Sequence, residues 1–313
     1  MKILIAGASG AIGRQLVPKL VTGGHEVAGT TRTPEKKSLL REMGATPLLV
    51  DVLDPEAVAQ AVAAFEPEVI VHEATALSSV NMRQFERSFA LTNRLRTEGT
   101  DHLLAAGRAV RVRKFVAQSF AGWPFARTGS RIKTEDDPLD PNPIPSMRST
   151  LDALRHLERA VIGAAWTEGI ALRYGGLYGP ATSLDVDGGD MTEAIRRGFF
   201  PIIGSGEGMF SFVHVEDAAD ATVAAIERGA RGVYHVVDDE PAPVREWLPV
   251  VAAALGAKQP RRMPRWLARL IAGETVVTMS TEARGASNER ARRCLGWAPR
   301  HASWRESLGR TTA

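Results

Sequence analysis

Short apolar runs separated by amphipathic stretches organise the first half of the chain. Residues 2–6 (KILIA), 25–31, 46–50 (TPLLV), 69–74 (VIVHEA) and 114–119 (KFVAQS) have the length and content of buried strands. Residues 11–22, 34–43 and 84–106 repeat apolar positions at helical spacing. Gly23-Gly24 and Gly44 stop the first two helices, and Asp54 followed by Pro55 opens another. Strands that are apolar throughout and alternate with helices belong to a parallel sheet covered on both faces. The expected fold is therefore α/β, a doubly wound parallel sheet of the Rossmann type.

Residues 133–147 (KTEDDPLDPNPIPSM) interrupt the alternation. Pro138, Pro141, Pro143 and Pro145 exclude both a helix and a sheet ladder there, which predicts a loop. A helix over 149–168, a strand over 169–173, a helix over 217–228 and a strand over 232–237 resume the pattern. The less regular stretches between and after them predict a smaller C-terminal lobe. The expected division is 1–175 plus about 213–240 for the main domain, and about 176–212 plus 241–313 for the lobe.

Composition narrows the class. With 313 residues, 44% of them apolar, the chain can build a full core. The single cysteine, Cys294, excludes an internal disulfide framework and a cysteine-rich zinc site, so a reducing cytoplasm is expected. The apolar run in MKILIAGASG is too short and glycine-rich for a signal peptide, and no stretch nears the roughly 18 apolar residues of a membrane span. Seven scattered histidines predict no metal site. The net charge of +3 hides a basic tail: residues 258–313 hold 12 basic and 4 acidic side chains. Arg262, Arg265 and Arg269 fall on one face of an expected helix over 264–272, beside Trp266. Arginine supplies 32 of the 39 basic residues throughout, so this density is partly compositional and predicts neither a nucleic-acid nor a membrane partner.

The sharpest motif is Gly7-Ala8-Ser9-Gly10-Ala11-Ile12-Gly13, directly after the first strand and opening the first helix. Glycines there let the backbone turn tightly against a pyrophosphate, which the free N–H groups of the helix N-terminus bind. The end of the second strand distinguishes the cofactors. An acid would bind the adenosine ribose of NAD, whereas a basic residue would pair with the 2′-phosphate of NADP. Thr30-Thr31-Arg32-Thr33 offers Arg32 and no acid, so NADP is expected over NAD.

These residues resemble the extended short-chain dehydrogenase/reductases, the NAD-dependent epimerase/dehydratases, over nearly the whole chain. Gly7, Gly10 and Gly13 match the family's turn. Asp51-Val52 resembles its adenine-holding position, and His72-Glu73-Ala74-Thr75, with Ala76 following, its cofactor-lining stretch. Asn93 with Gly99-Thr100 resembles its Asn…Gly-Thr helix. Gln118-Ser119 ends the fifth strand, with Ser119 at the family's serine. Residues 173–180 (RYGGLYGP), including Tyr174, Gly176, Leu177 and Tyr178, resemble the stretch around the nicotinamide. Residues 212–221 and 293–299 resemble its late signatures. The resemblance implies cofactor contacts at these positions, and a dimer formed through the helices at 84–106 and 149–168.

The resemblance also implies a Tyr-x-x-x-Lys pair after the fifth strand, and the pair is missing. Aligned through Glu158, Thr150 stands at the tyrosine position and Leu154 at the lysine position. A threonine hydroxyl is too weak an acid to replace a phenol, and leucine cannot tune one. This places the chain in the family's atypical branch. Lys133, Tyr178, Ser119 and Thr150 remain the candidate polar groups of the reaction. His72 and His214 have ordinary structural roles open to them. Phe120, Trp123 and Phe125 predict an apolar pocket mouth. The expected function is an NADP-dependent oxidoreductase acting on a small, fairly apolar carbonyl, alcohol or enone through a non-standard proton donor. A silent NADP-binding sensor or scaffold, and an isomerase or lyase using bound cofactor, are the alternatives.

Overall fold

The computed structural model describes residues 1–77 and 80–308. Seven strands form one sheet: β1 (Lys2–Ala6), β2 (Glu26–Thr31), β3 (Thr46–Leu49), β4 (Val69–His72), β5 (Lys114–Phe120), β7 (Glu168–Tyr174) and β12 (Gly232–Val236). Short β6 (Ile132–Lys133) lies outside it. The spatial order is β12-β7-β5-β4-β1-β2-β3, with every pair parallel. The chain winds outward from β1 in one direction and from β4 in the other. That reversal leaves a crevice at the carboxyl ends of β1 and β4, where such folds bind ligands.

Alternation of side chains along each strand supplies two cores. Ile3, Ile5, Val69, Val71 and Val116 face α1 (Ala11–Thr22) and α8 (Val215–Arg228). Leu4, Ile70, Phe115 and Ala117 face the opposite helical layer, which includes α3 (Pro55–Phe65) and α6 (Pro145–Gly163). The short α2 (Lys36–Glu42) joins β2 to β3. Asp54 caps α3 as its sequence predicts, its carboxylate accepting from the Ala57 N–H at 3.0 Å.

Three expected elements have different bounds. The strand predicted over 69–74 leaves the ladder after His72, where Glu73 and Ala74 pass over Gly7. The helix predicted over 84–106 comprises a 3₁₀ turn (Met82–Gln84), α4 (Phe85–Arg94), a π turn (Leu95–Gly99) and α5 (Thr100–Ala109). The helix predicted from 149 starts at Pro145, whose fixed φ suits a first helical position, and ends at Gly163. The proline-rich loop is otherwise irregular, and Arg127 Nε, from the segment before it, donates to its Asp140 at 2.9 Å.

Beyond β7, which ends at Tyr174, the chain leaves the sheet. It forms β8 (Gly176–Tyr178), α7 (Asp190–Arg196), β9 (Ile202–Ile203), β10 (Met209–Phe210) and β11 (Phe212–His214). After β12 come β13 (Ala242–Pro243), α9 (Val244–Ala254), β14 (Arg262–Met263), α10 (Arg265–Ala272), α11 (Glu274–Glu282), β15 (Gly285–Ala286) and α12 (Glu289–Leu295). The short strands pair β8 with β11, β9 with β14, β10 with β13 and β6 with β15. Tyr178, Phe212, Trp247 and Trp304 anchor this part's own core. It reaches back over the sheet: α11 packs on the Met82–Gln84 turn, and Ser146 and Thr275 hydroxyls meet at 2.8 Å. On the basic tail, Arg265 pairs with Glu282 at 2.5 Å and Arg269 with Glu274, so part of its charge is neutralised internally. No helix among the described residues is long and apolar enough to cross a membrane.

Candidate cofactor and substrate cleft

The glycine turn is built for close approach. Gly7 has φ +92°, and a Cβ there would lie 2.7 Å from the backbone of Glu73 and Ala74. A Cβ on Gly13 would lie 2.4 Å from the Ala8 carbonyl oxygen, so only glycine lets α1 start this close to β1. The Gly10 N–H bonds the Gly7 carbonyl at 2.9 Å and closes the turn. Gly10 is the N-cap and offers no side chain, and the first turn of α1 carries no acid. The first-turn N–H groups, Ala11 and Ile12 among them, are thus left for an anion. Ser9 is half-buried beside them, with its carbonyl accepting from Arg14.

Arg32 is exposed just past the end of β2. Buried Thr31 turns its hydroxyl onto Thr33, accepting from that N–H at 3.1 Å. Val52 is buried, while Asp51 is exposed and binds the Leu53 N–H at 3.0 Å. Ala74 and Ala76 are half-buried and Thr75 exposed along the rim past β4. Gly176 and Leu177 lie half-buried on β8. Several buried polar atoms near the strand ends have no partner among the described residues, including Asn93 Oδ1, Gln118 Oε1 and two guanidinium nitrogens of Arg96. Free first-turn N–H groups behind the uncapped Gly10 and orphaned polar atoms beyond them fit a dinucleotide laid across the crevice.

The four candidate polar groups are not brought together in one arrangement. Thr150 is fully buried, and Asn93 Nδ2 donates to its hydroxyl at 3.1 Å. Leu154, one turn on, is buried in apolar contact. Ser119 spends its proton on Glu158 Oε1 at 2.6 Å. Lys133 lies on β6, in the ladder with β15, and its ammonium donates to Asp137 at 3.1 Å and to the Thr128 carbonyl at 2.8 Å. Tyr178 is fully enclosed in the lobe core, edge-on to His214 at 5.1 Å, and burial pushes its phenol well up. His214 caps α8 by accepting from the Glu216 N–H at 3.3 Å. His72, buried, meets the Leu95 carbonyl at 3.0 Å, and burial brings its pKa down to about 4.

Two buried polar clusters are built on Glu158 and Glu73, acids that the sequence motifs contain but to which they give no role of their own. Glu158 takes two bonds from Arg173, Nε and Nη2 each at 2.7 Å, while Arg173 Nη1 lies 3.3 Å from His235 Nε2. Glu73 is enclosed with Tyr174 and Thr222. The Tyr174 hydroxyl oxygen is 3.0 Å from Glu73 Oε1 and 2.6 Å from Thr222 Oγ1, and Thr222 donates to the Ala218 carbonyl at 2.8 Å. Thr222 has one proton and uses it there, so Tyr174 must donate to Thr222 and Glu73 must bring a proton to Tyr174. Burial agrees, pushing Glu73 up to about 8. A carboxyl raised on folding stabilises the fold below its unfolded pKa, and that stability is lost as pH rises toward about 8. Glu73→Gln keeps a donor without the charge. Above that pH it should be the more stable protein by a few kcal/mol, at about 1.4 kcal/mol per pKa unit. Parallel pH profiles of urea unfolding for the two proteins would refute the neutral carboxyl.

An aromatic cluster joins α4 to the loop after β5. Phe85 stacks on Phe89 at 4.3 Å and meets Trp123 edge-on at 5.6 Å, and Phe120 lies 6.3 Å from Trp123. Phe125, expected at the mouth, is instead buried against His235 and Arg173. Its place is under the proline-rich loop, through a bridge to Leu139.

A parallel sheet with this winding order and a glycine turn at the switch point defines a nicotinamide-dinucleotide enzyme of the extended short-chain type. The chain belongs to the NAD dependent epimerase/dehydratase family, whose model matches residues 3–237. It is 44% identical to a 3-diazoavenalumate denitrifying reductase of Streptomyces, over 99% of this chain and all of that protein. Among solved structures it is similar to UDP-glucose 4-epimerase of Thermotoga maritima, with TM-score 0.79 and 24% identity over 99% of this chain and 97% of that one. The human epimerase family protein SDR39U1 with NADPH gives TM-score 0.74 and 22% identity, covering 99% and 98%.

Proposed function

We propose that this protein is an NADP-dependent reductase whose electrophile accepts hydride without a general acid, the substrate class being an arenediazonium ion. The observation that carries the reading is the Thr150–Leu154 face of α6. A phenol–ammonium pair would serve a carbonyl there, yet Thr150 is buried against Asn93 and Leu154 is apolar. The proton of Ser119 and the ammonium of Lys133 are engaged elsewhere, and Tyr178 is enclosed. Reducing a ketone requires a proton at oxygen, which this arrangement supplies poorly. An arenediazonium ion has no such oxygen. Overall, one hydride replaces its N₂ group, and the arene and dinitrogen leave.

The cofactor, when bound, supplies that hydride. The Gly7–Gly13 turn and the start of α1 would hold its pyrophosphate, Asp51-Val52 its adenosine end and Arg32 its 2′-phosphate. Asn93 and Gln118 would serve the nicotinamide half. We place the substrate against the cluster of Phe89, Phe120 and Trp123, which suits a flat, cationic ring, since π faces attract cations. The 44% relative acts on a diazo compound by its name, which supports the same substrate class here.

The test is a substrate panel followed by nicotinamide absorbance, with enzyme-free controls. Arenediazonium salts should be consumed with NADPH, and the matching aryl ketones and enones should not. Turnover of the ketones alone would return the reading to a carbonyl reductase with its own proton donor.

A further inference from the structure

Arg96 is a buried cation with two guanidinium nitrogens that no group among the described residues satisfies. It lies on the π turn between α4 and α5, is 5% exposed, and its Nε and Nη1 are buried without partners among the described residues. Single-turn π insertions in α-helices concentrate at functional sites.

Two side-chain ties fix what it faces. Asn93 bonds Thr150 at 3.1 Å, and Asp101 bonds His156 at 2.8 Å. Between these ties the α4–α5 helix runs parallel to α6. Arg96, three residues past Asn93, lies on the π turn that packs against α6, within electrostatic reach of Glu158. The acid within electrostatic reach, Glu158, is already claimed by both forks of Arg173 and by Ser119. One positive charge is therefore left over beneath the carboxyl end of β4, beside His72. The glycine turn and Arg32 take the adenosine side of the crevice, toward β2. The β4 side, with Arg96, is left for the nicotinamide nucleoside. Unpaired guanidinium donors and the orphaned Asn93 Oδ1 acceptor together suit hydroxyls, which both accept and donate.

The geometry points to Arg96 as the positioning residue of the nicotinamide half-site, holding its ribose hydroxyls and, through an uncompensated charge, favouring the neutral reduced ring over the cationic oxidised one. This rests on the NADP reading above. It puts a cation from another helix where Leu154 offers none.

The test compares wild-type protein, Arg96→Met and Arg96→Lys for binding of NADPH, NADP⁺ and 2′,5′-ADP, by calorimetry. Wild-type protein should bind NADPH more tightly than NADP⁺. Arg96→Met should shift that ratio toward unity by about tenfold, the scale of one pKa-unit-sized interaction. Arg96→Lys should keep most of the preference, and 2′,5′-ADP, which lacks the nicotinamide nucleoside, should bind all three alike. An unchanged NADPH/NADP⁺ ratio in Arg96→Met, with 2′,5′-ADP still bound, would overturn the inference. If Arg96→Met does not fold, a wild-type preference for NADP⁺, or a preference lost in Arg96→Lys, would overturn it. Failure of wild-type protein to bind 2′,5′-ADP while binding ADP would instead overturn the NADP reading, and the same ratio is then read with NADH and NAD⁺.

Discussion

Replacing Glu158 by leucine is expected to cost about 3–5 kcal/mol of stability, the range for removing one partner of a buried pair. The carboxylate sits where Leu151, Leu154, Leu157 and Val161 make the buried face of α6. Its two oxygens take Arg173 in a fork at 2.7 Å and the Ser119 proton at 2.6 Å. Leucine would fill most of the space and leave Arg173 buried without its hydrogen-bonded carboxylate, beside Phe125 and a His235 imidazole that burial has brought down to about 3, with Glu135 acting on it only electrostatically. The loss comes from the stranded guanidinium, so a second change has a definite consequence. Glu158→Leu with Arg173→Met should recover a large share of the loss in urea unfolding, because two apolar groups strand nothing. A single variant within about 0.5 kcal/mol of wild type, the spread of ordinary surface substitutions, would show that the pair does not hold the floor of the cleft.

Arg32→Glu is expected to weaken NADPH by about 100-fold and NADH by no more than about threefold. Charge-assisted hydrogen bonds contribute about 1.5–3 kcal/mol, and reversing the charge adds repulsion. Arg32 is exposed at the end of β2, so the change should leave the fold intact. The readout is the ratio of the two dissociation constants. Equal losses for both cofactors, or no loss, would remove the 2′-phosphate from Arg32.

The sheet was legible because its signals are local. Apolar runs at β1, β2, β4 and β5, glycine stops after α1 and α2, and the Asp54-Pro55 helix start each depend on a few neighbouring residues. The phosphate-binding turn was legible for the same reason: its glycines are required by contacts within one strand–turn–helix unit, plus the passing backbone at Glu73. The floor of the cleft was not legible. Glu158, Arg173, Glu73 and Arg96 are charges at positions where the periodicity calls for apolar side chains. Glu158, Arg173 and Glu73 are tolerable only through partners far along the chain, such as Tyr174 for Glu73, whereas Arg96 has two buried nitrogens without a partner among the described residues. A signal was present at Glu158, an acid inside the apolar stripe of a helix, but its meaning depends on β7. The π turn after Asn93 left no mark in the polarity pattern, since one added residue per turn only blurs a helical period. Phe125 was misplaced because an aromatic after β5 reads the same whether it lines a mouth or plugs a loop.

The absence of the phenol–ammonium pair is visible in the sequence, but its consequence required the surroundings. Thr150 is tied to Asn93, and Ser119, Lys133 and Tyr178 are each committed or enclosed. An enzyme built this way should reduce an electrophile that needs no proton at oxygen. The most direct measurement is the stoichiometry of gas release: ¹⁵N-labelled arenediazonium is incubated with NADPH and the protein, and labelled dinitrogen is followed by mass spectrometry. One molecule of dinitrogen per NADPH consumed, with the arene as product, is the predicted result. NADPH consumption without dinitrogen, or no consumption beyond the enzyme-free control, would contradict it.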